Sequence, residues 1–189
     1  MNGRTTALGA HAVVVGASMG GMLAARSLAD FFERVTIVER DTLPPMGEHR
    51  KGVPQGKHTH ALLPSGRAIL EGFFPGLTED LVALGVPPID NPLVELRWYD
   101  HGGYHCGFTY NDGTLGLGVS RPFLEGYVRQ RVRALPNVTI IEQCDALGLP
   151  MSERGTHARG LRILRRQPGS AEEVLEADLV VDAGGRGSR

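Results

Sequence analysis

The segment AVVVGASMGG at residues 12–21 decides the fold of this chain. Its first four residues are apolar and mostly β-branched, which is typical of a strand buried on both faces of a parallel sheet. MLAARSLADFF at residues 22–32 has the apolar spacing of a helix, with Phe32 on its apolar face. VTIV at residues 35–38 predicts a second strand, and Glu39 ends it. Strand, glycine turn, helix, strand and acid follow one another as in a dinucleotide-binding unit.

The glycine turn suits a diphosphate. A helix N-terminus offers unpaired N–H groups and the positive end of a dipole, and glycine lets a phosphate approach without a Cβ in the way. The standard fingerprint GxGxxG reads Gly16-x-Ser18-x-x-Gly21 here, so a serine replaces the middle glycine. Glu39 is placed to accept hydrogen bonds from ribose hydroxyls.

Two other interpretations of this segment stay open. Glycine also permits close helix–sheet contact in a plain strand–helix–strand unit. Residues 16–20 match GxSxG, which would make Ser18 the nucleophile of a serine hydrolase. That interpretation leaves Glu39 unexplained, and only fifteen residues precede Gly16 to supply the strands and the oxyanion-hole loop.

Composition narrows the function classes. The chain has 189 residues, 41% of them hydrophobic and 22% charged, with a formal net charge of −1. These values are typical of a globular protein and predict no global attraction to nucleic acid or anionic membrane. Two cysteines cannot build a disulfide framework, so we expect a cytoplasmic setting. Since no apolar run approaches ~18 residues, we expect no transmembrane segment.

A second glycine-rich turn follows the apolar run in ADLVVDAGGRGSR, residues 177–189. Before it, residues 160–165 and 173–176 flank turn residues and predict a hairpin, whose arginines we expect to pair with Glu172, Glu173 and Glu176. A helix is predicted from Arg121 to Leu135, with Ser120 as N-cap. Arg131 is predicted on its inward face, where a buried acid or phosphate would explain it. VTII at residues 138–141 predicts a further strand.

The middle of the chain predicts a small second lobe. Residues 64–85 indicate two short helices broken at Pro75-Gly76, and residues 94–99, 104–110 and 115–119 indicate strands. The histidines and Cys106 lack a second Cys/His pair at ligand spacing, so we predict no metal site.

Together these motifs resemble the flavin monooxygenases of the para-hydroxybenzoate hydroxylase type, and most specifically the bacterial polyether epoxidases such as monensin epoxidase and their squalene-epoxidase-like relatives. The resemblance is carried by HAVVVGASMGGMLAA at 11–25, VTIVERDTLP at 35–44, HRKGVPQGKHTHALL at 49–63, SRPFLEGYVRQRV at 120–132 and EADLVVDAGGRGSR at 176–189. It implies an α/β, Rossmann-like FAD-binding domain, with a parallel sheet, helices and an antiparallel hairpin or meander, plus a partial substrate-side lobe. The implied parts are residues 1–85 (FAD-binding), 86–119 (substrate side) and 120–189 (FAD-binding).

The resemblance also implies a set of cofactor-binding residues. The residues that would hold the FAD diphosphate are Gly16, Ser18, Met19, Gly20 and Gly21. Glu39 would hold the ribose, Arg40 would flank adenine, and Ala146 would contact adenine through its backbone. The remaining residues would lie near the flavin, the diphosphate or the second cofactor motif, and are Arg50, Gln55, His58, His60, Arg121, Asp182, Gly185 and Ser188. Gly184 stands where the family's second motif has an acid.

The implied function is an FAD-dependent monooxygenase with NADPH or NADH as reductant. Alkene epoxidation through a flavin C4a-hydroperoxide is expected, with aromatic hydroxylation as the nearest alternative. The partner would be a small-molecule alkene or aromatic substrate and no nucleic acid. Family members continue past the position of Arg189, so we expect a truncated enzyme or a second chain that completes the site. The alternative from another class is a non-catalytic module that binds FAD or another dinucleotide.

Overall fold

The computed structural model describes residues 7–50, 53–89, 99–104 and 116–185. The helices are α1 (Met19–Leu28), α2 (Pro64–Phe73), α3 (Leu77–Ala83) and α4 (Arg121–Arg133), with a short 3-10 helix at Pro54–Lys57. The strands are β1 (Gly9–Val15), β2 (Phe32–Val38), β3 (Pro88–Ile89), β4 (Tyr99–Asp100), β5 (Gly103–Tyr104), β6 (Gly116–Leu117), β7 (Val138–Ile141), β8 (Cys144–Gly148), β9 (Gly160–Arg165), β10 (Glu173–Glu176) and β11 (Leu179–Asp182).

A four-stranded parallel sheet forms the centre, in the order β11-β1-β2-β7. The central strands are apolar because both faces are covered: Val13 and Val14 on β1 and Ile37 on β2 are fully buried. Val15 pairs with Val38 on one side and with Asp182 on the other, so the carboxyl ends of three strands lie side by side.

Helices cover one face of this sheet and a second sheet covers the other. Met22 and Ala25 of α1 pack with Val128 of α4 in the larger apolar cluster. On the opposite face, Val13 and Val38 pack with buried residues of an antiparallel sheet in the order β10-β9-β8. The predicted hairpin is therefore confirmed as β9 and β10.

Three of the four arginines expected to pair on the hairpin do so, whereas Arg166 pairs with Asp145 of β8 at 2.7 Å. Arg159 pairs with Glu176 at 3.4 Å, and Arg162 with Glu172 at 3.6 Å. Arg165 pairs with Glu173 at 2.7 Å. All of these side chains are substantially exposed, so the pairs contribute little to stability and indicate a solvated face.

Two details of the helices differ from the predictions. Phe32 begins β2 opposite Gly9 and is not part of α1. An aromatic residue suits either element, so apolar periodicity alone places the boundary poorly. Arg131 is partly exposed, and its guanidinium lies 3.2 Å from Asp80 at the start of α3. Its partner is thus an exposed acid and not the buried acid or phosphate that was expected, and the buried arginine of α4 is Arg129.

The other predicted elements are partly described. The break at Pro75-Gly76 is confirmed, and Gly76 adopts the left-handed conformation that separates α2 from α3. β3 pairs with β6, and β4 pairs with β5. Most of the strands predicted at 94–99, 104–110 and 115–119 lies outside the described residues. The three-part domain division stays a prediction.

In the portions of the chain that the structure describes, no helix has the length and apolarity to cross a membrane.

Candidate functional site

Two glycine turns meet at the carboxyl edge of the parallel sheet. Gly16 follows β1 with a φ of +93°, and a Cβ there would lie 2.8 Å from the carbonyl oxygen of Ala183, which follows β11. The backbone N–H of Ala183 in turn donates to Val15 across 2.9 Å. The first turn is thus tight and closely packed against the second, and only glycine fits at residue 16.

Helix α1 begins directly above this turn. A Cβ at Gly21 would lie 1.8 Å from the carbonyl oxygen of Gly16, so the helix is in backbone contact with the turn. A Cβ at Gly20 would meet no atom within 4 Å. Gly21 therefore serves close packing, whereas Gly20 leaves an open approach to the first turn of the helix, where N–H groups are free to bind an anion.

Ser18 is the N-cap of α1, and its side chain makes no capping hydrogen bond. Its backbone is extended, with φ −84° and ψ −177°. A nucleophile elbow holds its serine in a strained turn, so this relaxed backbone favours the dinucleotide interpretation over the hydrolase.

Glu39 lies beside the glycine turn with its side chain only 5% exposed. Its Oε2 accepts the N–H of Ala17 at 2.7 Å, and its Oε1 accepts the N–H of Asp41 at 2.9 Å. Burial raises the pKa of Glu39, but the N–H groups of Asp41 and Ala17 and the charge of Arg50 outweigh it and hold the pKa below 4.5. The carboxylate is therefore ionised and fixed at the point where the fingerprint predicts a ribose.

Arg50 connects this carboxylate to the rest of the site. Its Nη2 donates to Glu39 Oε2 at 2.9 Å, and its Nη1 donates to the carbonyl oxygen of Ala17 at 3.1 Å. The side chain is 10% exposed, and its Nε is buried without a hydrogen-bond partner. The loop that carries Arg50 thus places a cation directly at the glycine turn.

Glu125 on α4 is a site residue that the sequence analysis missed. It is buried, with Oε1 3.5 Å from Arg50 Nη1 and Oε2 3.2 Å from Arg121 Nε. The spacing of Arg121 and Glu125, one helical turn apart, is the signal that indicates an ion pair on α4. Its contact with Arg50 is non-local, and no sequence pattern reveals it.

A pocket lies between the Arg50 loop and the start of α4. Its lining residues are Pro44, Glu48, Arg50, Val53, Gly56, Arg121, Pro122, Glu125 and Arg129. Ser120 caps α4 as predicted, its hydroxyl accepting the N–H of Phe123 at 3.4 Å. Three arginines and two glutamates in one small pocket give it a mixed, polar lining suited to a charged group.

The other predicted site residues lie on the loop after β2 and on β8. Gln55 and His58 are exposed on the loop, and His60 Nδ1 donates to the carbonyl oxygen of Val119 at 2.9 Å. Arg40 is exposed and lies 3.7 Å from Asp41. Ala146 is exposed on β8, whose first residue, Cys144, donates its N–H to the carbonyl of Glu39 at 3.0 Å.

The second glycine turn is described only as far as Gly185. Asp182 Oδ1 accepts the N–H of Gly184 at 2.8 Å, so this acid orients its own turn. Gly185 has a φ of +66°. Ser188 lies outside the described residues, as do His105 and Cys106. Across the described ranges, no three His, Cys, Asp or Glu side chains are grouped to hold a metal ion.

Comparison with known sequences gives one relative that spans the chain. No family model matches. A protein of Mycobacterium tuberculosis, Protein Rv3254, is 40% identical over 196 residues, which is 100% of this chain and 40% of that protein.

Solved structures share the fold. PqsL of Pseudomonas aeruginosa, a probable FAD-dependent monooxygenase, has a TM-score of 0.64 at 17% identity over 91% of this chain and 41% of its own. The p-nitrophenol 4-monooxygenase PnpA of Pseudomonas putida DLL-E4 has a TM-score of 0.67 at 19% identity, over 95% of this chain and 42% of its own. The myxobacterial FAD-dependent chondrochloren halogenase CndH has a TM-score of 0.66 at 20% identity, over 96% of this chain and 38% of its own.

These likenesses confirm the predicted fold class, an α/β domain with a parallel sheet and helices, as in FAD-dependent monooxygenases. At such identities they show the fold alone. The chain spans about 40% of the length of the curated relative and of the solved structures it matches.

Proposed function

We propose that this chain is the FAD-binding part of a flavin-dependent monooxygenase, an oxidoreductase that inserts one oxygen atom from O2 into a small organic substrate. The observation that carries the proposal is the ionised Glu39 held 2.7 Å from the N–H of Ala17, inside the glycine turn. A carboxylate at that place accepts hydrogen bonds from the hydroxyls of an adenosine ribose. The shared fold of FAD-dependent monooxygenases supports the same cofactor.

The residues present fit the adenosine diphosphate half of FAD. The open side of Gly20 lets a phosphate reach the first turn of α1, and the helix dipole favours its negative charge. Arg50 supplies positive charge at the glycine turn, Arg121 lines the adjoining pocket, and Glu39 is the carboxylate proposed for the ribose. The backbone of Ala146, on the strand that starts beside Glu39, is the proposed adenine contact.

Bound FAD, reduced by NADPH or NADH, supplies the activation of O2. The task of this chain's own residues is to hold the cofactor by its diphosphate and ribose and to neutralise its charge. We propose alkene epoxidation as the reaction, supported by the resemblance of residues 49–63 and 120–132 to the polyether epoxidases, with aromatic hydroxylation next. A halogenase shares the fold almost equally well, so only product analysis separates these reactions.

Reconstitution with FAD tests the proposal. The purified chain is mixed with excess FAD and passed through a desalting column, and bound flavin is measured by its visible absorbance after denaturation. We expect flavin to be retained by the folded chain and displaced by excess ADP. A folded chain that retains no flavin and does not quench flavin fluorescence would overturn the proposal.

Turnover is measured separately from binding. Oxygen and NADPH consumption by the FAD-loaded chain, with and without an alkene, distinguishes a monooxygenase from the non-catalytic dinucleotide-binding module. Consumption that depends on the alkene would exclude the module. A fluorophosphonate probe tests the remaining hydrolase alternative, and we expect no labelling of Ser18.

A further inference from the structure

Glu39 has too few free acceptor positions for a ribose in the arrangement that the structure shows. A carboxylate offers about four acceptor positions. Three are occupied, by the N–H of Ala17, the N–H of Asp41 and Nη2 of Arg50. A ribose diol presents two hydroxyl donors, so one of these hydrogen bonds has to be given up. Two of them come from the backbone of the turns that form the site, which leaves Arg50 as the donor that is able to move.

Glu125 lies where the guanidinium of Arg50 can bind next. Its Oε1 is buried, makes no hydrogen bond and lies 3.5 Å from Arg50 Nη1. A charge-assisted N–H···O hydrogen bond is about 2.7–2.9 Å long, so a shift of less than about 1 Å completes it. Arg50 has an unpartnered donor of its own, the buried Nε. One unused acceptor and one unused donor therefore belong to a pair of side chains already in ionic contact.

Arg121 keeps Glu125 ready for this exchange. Its Nε holds the other oxygen of Glu125 at 3.2 Å, within one turn of α4. The carboxylate of Glu125 is thereby oriented and partly neutralised even while Arg50 is bound to Glu39. Since Glu125 is only 3% exposed, an unmade hydrogen bond on its Oε1 is costly, and a donor as close as Arg50 is favoured to complete it.

We propose that Glu125 is the second anion partner of Arg50: Arg50 moves its hydrogen bond from Glu39 to Glu125 and so frees Glu39 for the two hydroxyls of the ribose. This inference rests on the proposed function and makes Glu125 a positioning residue, which acts through Arg50 and does not touch the cofactor. Without the charge of Glu125, Arg50 has Glu39 as its one buried carboxylate partner and competes with the ribose for it.

The test compares two ligands that differ only in the diol, ADP and 2′,3′-dideoxy-ADP, each measured by displacement of FAD. In the wild-type chain ADP binds more tightly because its diol reaches Glu39. Glu125→Gln, which keeps the shape of the side chain, is expected to weaken ADP about tenfold and to leave the dideoxy ligand nearly unchanged. Glu142→Gln is the matched control, since Glu142 pairs with Arg133 at the other end of α4 and glutamine keeps an oxygen for the N–H of Leu43, which Glu142 accepts at 2.7 Å. It should keep the wild-type ratio of the two affinities.

A double-mutant cycle identifies the intermediary. In an Arg50→Gln background, Glu125→Gln should no longer change the ratio, because no guanidinium is left to exchange. Glu125→Asp keeps the charge but withdraws the carboxylate from Arg50, and is expected to give an intermediate ratio. It serves as the second variant if Glu125→Gln does not fold.

Two outcomes would overturn the inference: a ratio that stays unchanged in the Glu125 variants, including the case in which both ligands lose affinity equally, or the same effect in the Arg50→Gln background. A wild-type chain that binds neither FAD nor ADP would instead overturn the proposed function, and the inference with it. If the wild type binds FAD and ADP but the Glu125 variants do not change the ratio of the two affinities, only the inference fails and the proposed function stands.

Discussion

The α-carbon of Gly21 lies so close to the carbonyl oxygen of Gly16 that a Cβ at residue 21 would stand 1.8 Å from it. No side chain tolerates such a distance, so helix and turn would have to separate. Gly20, one position earlier on the same helix, has no atom from outside its own stretch of helix within 4 Å of the place of its Cβ. Adjacent glycines of one motif thus have different physical roles.

Gly21→Ala is expected to reduce the free energy of unfolding by about 1–3 kcal/mol or more, since about 1–3 kcal/mol is the usual cost of overpacking. Gly20→Ala is expected to leave it unchanged or to raise it by up to about 1 kcal/mol, because alanine favours the helix. Urea unfolding of both variants without added cofactor, followed by circular dichroism, measures the difference. Equal destabilisation by the two substitutions would contradict the assigned contact.

Glu39→Ala is expected to weaken FAD retention more than Asp182→Ala. The carboxylate of Glu39 lies at the glycine turn, whereas that of Asp182 accepts the N–H of Gly184 in its own turn. Losing the acceptors for the ribose should cost about tenfold or more in the FAD dissociation constant. Titration by flavin fluorescence measures both variants against the wild type, and the reverse order would refute the ribose assignment.

Acid should destabilise the chain through Glu39. Because the pKa of Glu39 is lowered in the folded chain, the unfolded chain binds more protons as pH falls below about 4.5. The stability that this carboxylate contributes is therefore complete above 4.5 and is lost as pH falls through the lower, folded pKa. The difference in unfolding free energy between wild type and Glu39→Gln should shrink over this range. A difference that stays constant with pH would show that the carboxylate does not titrate as described.

His11 should produce a second pH dependence, at higher pH. The ring is buried on β1, with Nδ1 2.6 Å from the carbonyl of Glu176 and Nε2 2.8 Å from the hydroxyl of Thr36. A carbonyl only accepts, so Nδ1 donates to Glu176 and Nε2 accepts from Thr36, and Nη2 of Arg34, 3.1 Å from the same Nδ1, acts there as a neighbouring positive charge and not as a donor. Burial lowers the pKa of His11, as does the charge of Arg34, against the raising effects of Glu176 and Asp178.

The folded chain therefore binds a proton at His11 less readily than the unfolded chain, and the free energy of unfolding should fall as pH drops below about 6.5. His11→Gln keeps polar partners for both contacts but does not titrate there. Its unfolding free energy should be less dependent on pH between 5 and 7 than that of the wild type. Parallel curves for the two proteins would contradict this assignment.

The local part of the site was predictable from sequence. β1, the glycine turn, α1, β2 and Glu39 follow one another along the chain, so periodicity and residue type suffice to place them. The hairpin of β9 and β10 is local for the same reason. The boundary at Phe32 was wrong because an aromatic residue between two elements carries no periodic information.

The non-local part was not predictable in this way. Arg50 and Glu125 lie on elements far apart in the chain, and their contact depends on how the loop packs against α4. A Cβ at Gly126 would lie 2.6 Å from the α-carbon of Met46, which shows how closely that loop approaches the helix. The same packing buries Arg129, whose guanidinium donates to the carbonyl of Pro44, whereas helical spacing had favoured Arg131.

The order β11-β1-β2-β7 has a consequence for synthesis on the ribosome. Strand β1 pairs with β11, which comes last along the chain. The hydrogen bond from the N–H of Ala10 to the carboxylate of Asp178, just before β11, joins residues that are 168 positions apart. A nascent chain therefore carries β1 with one edge unpaired until residues 179–182 have emerged, and unpaired edges invite aggregation. Chaperone protection during translation would matter most in that interval.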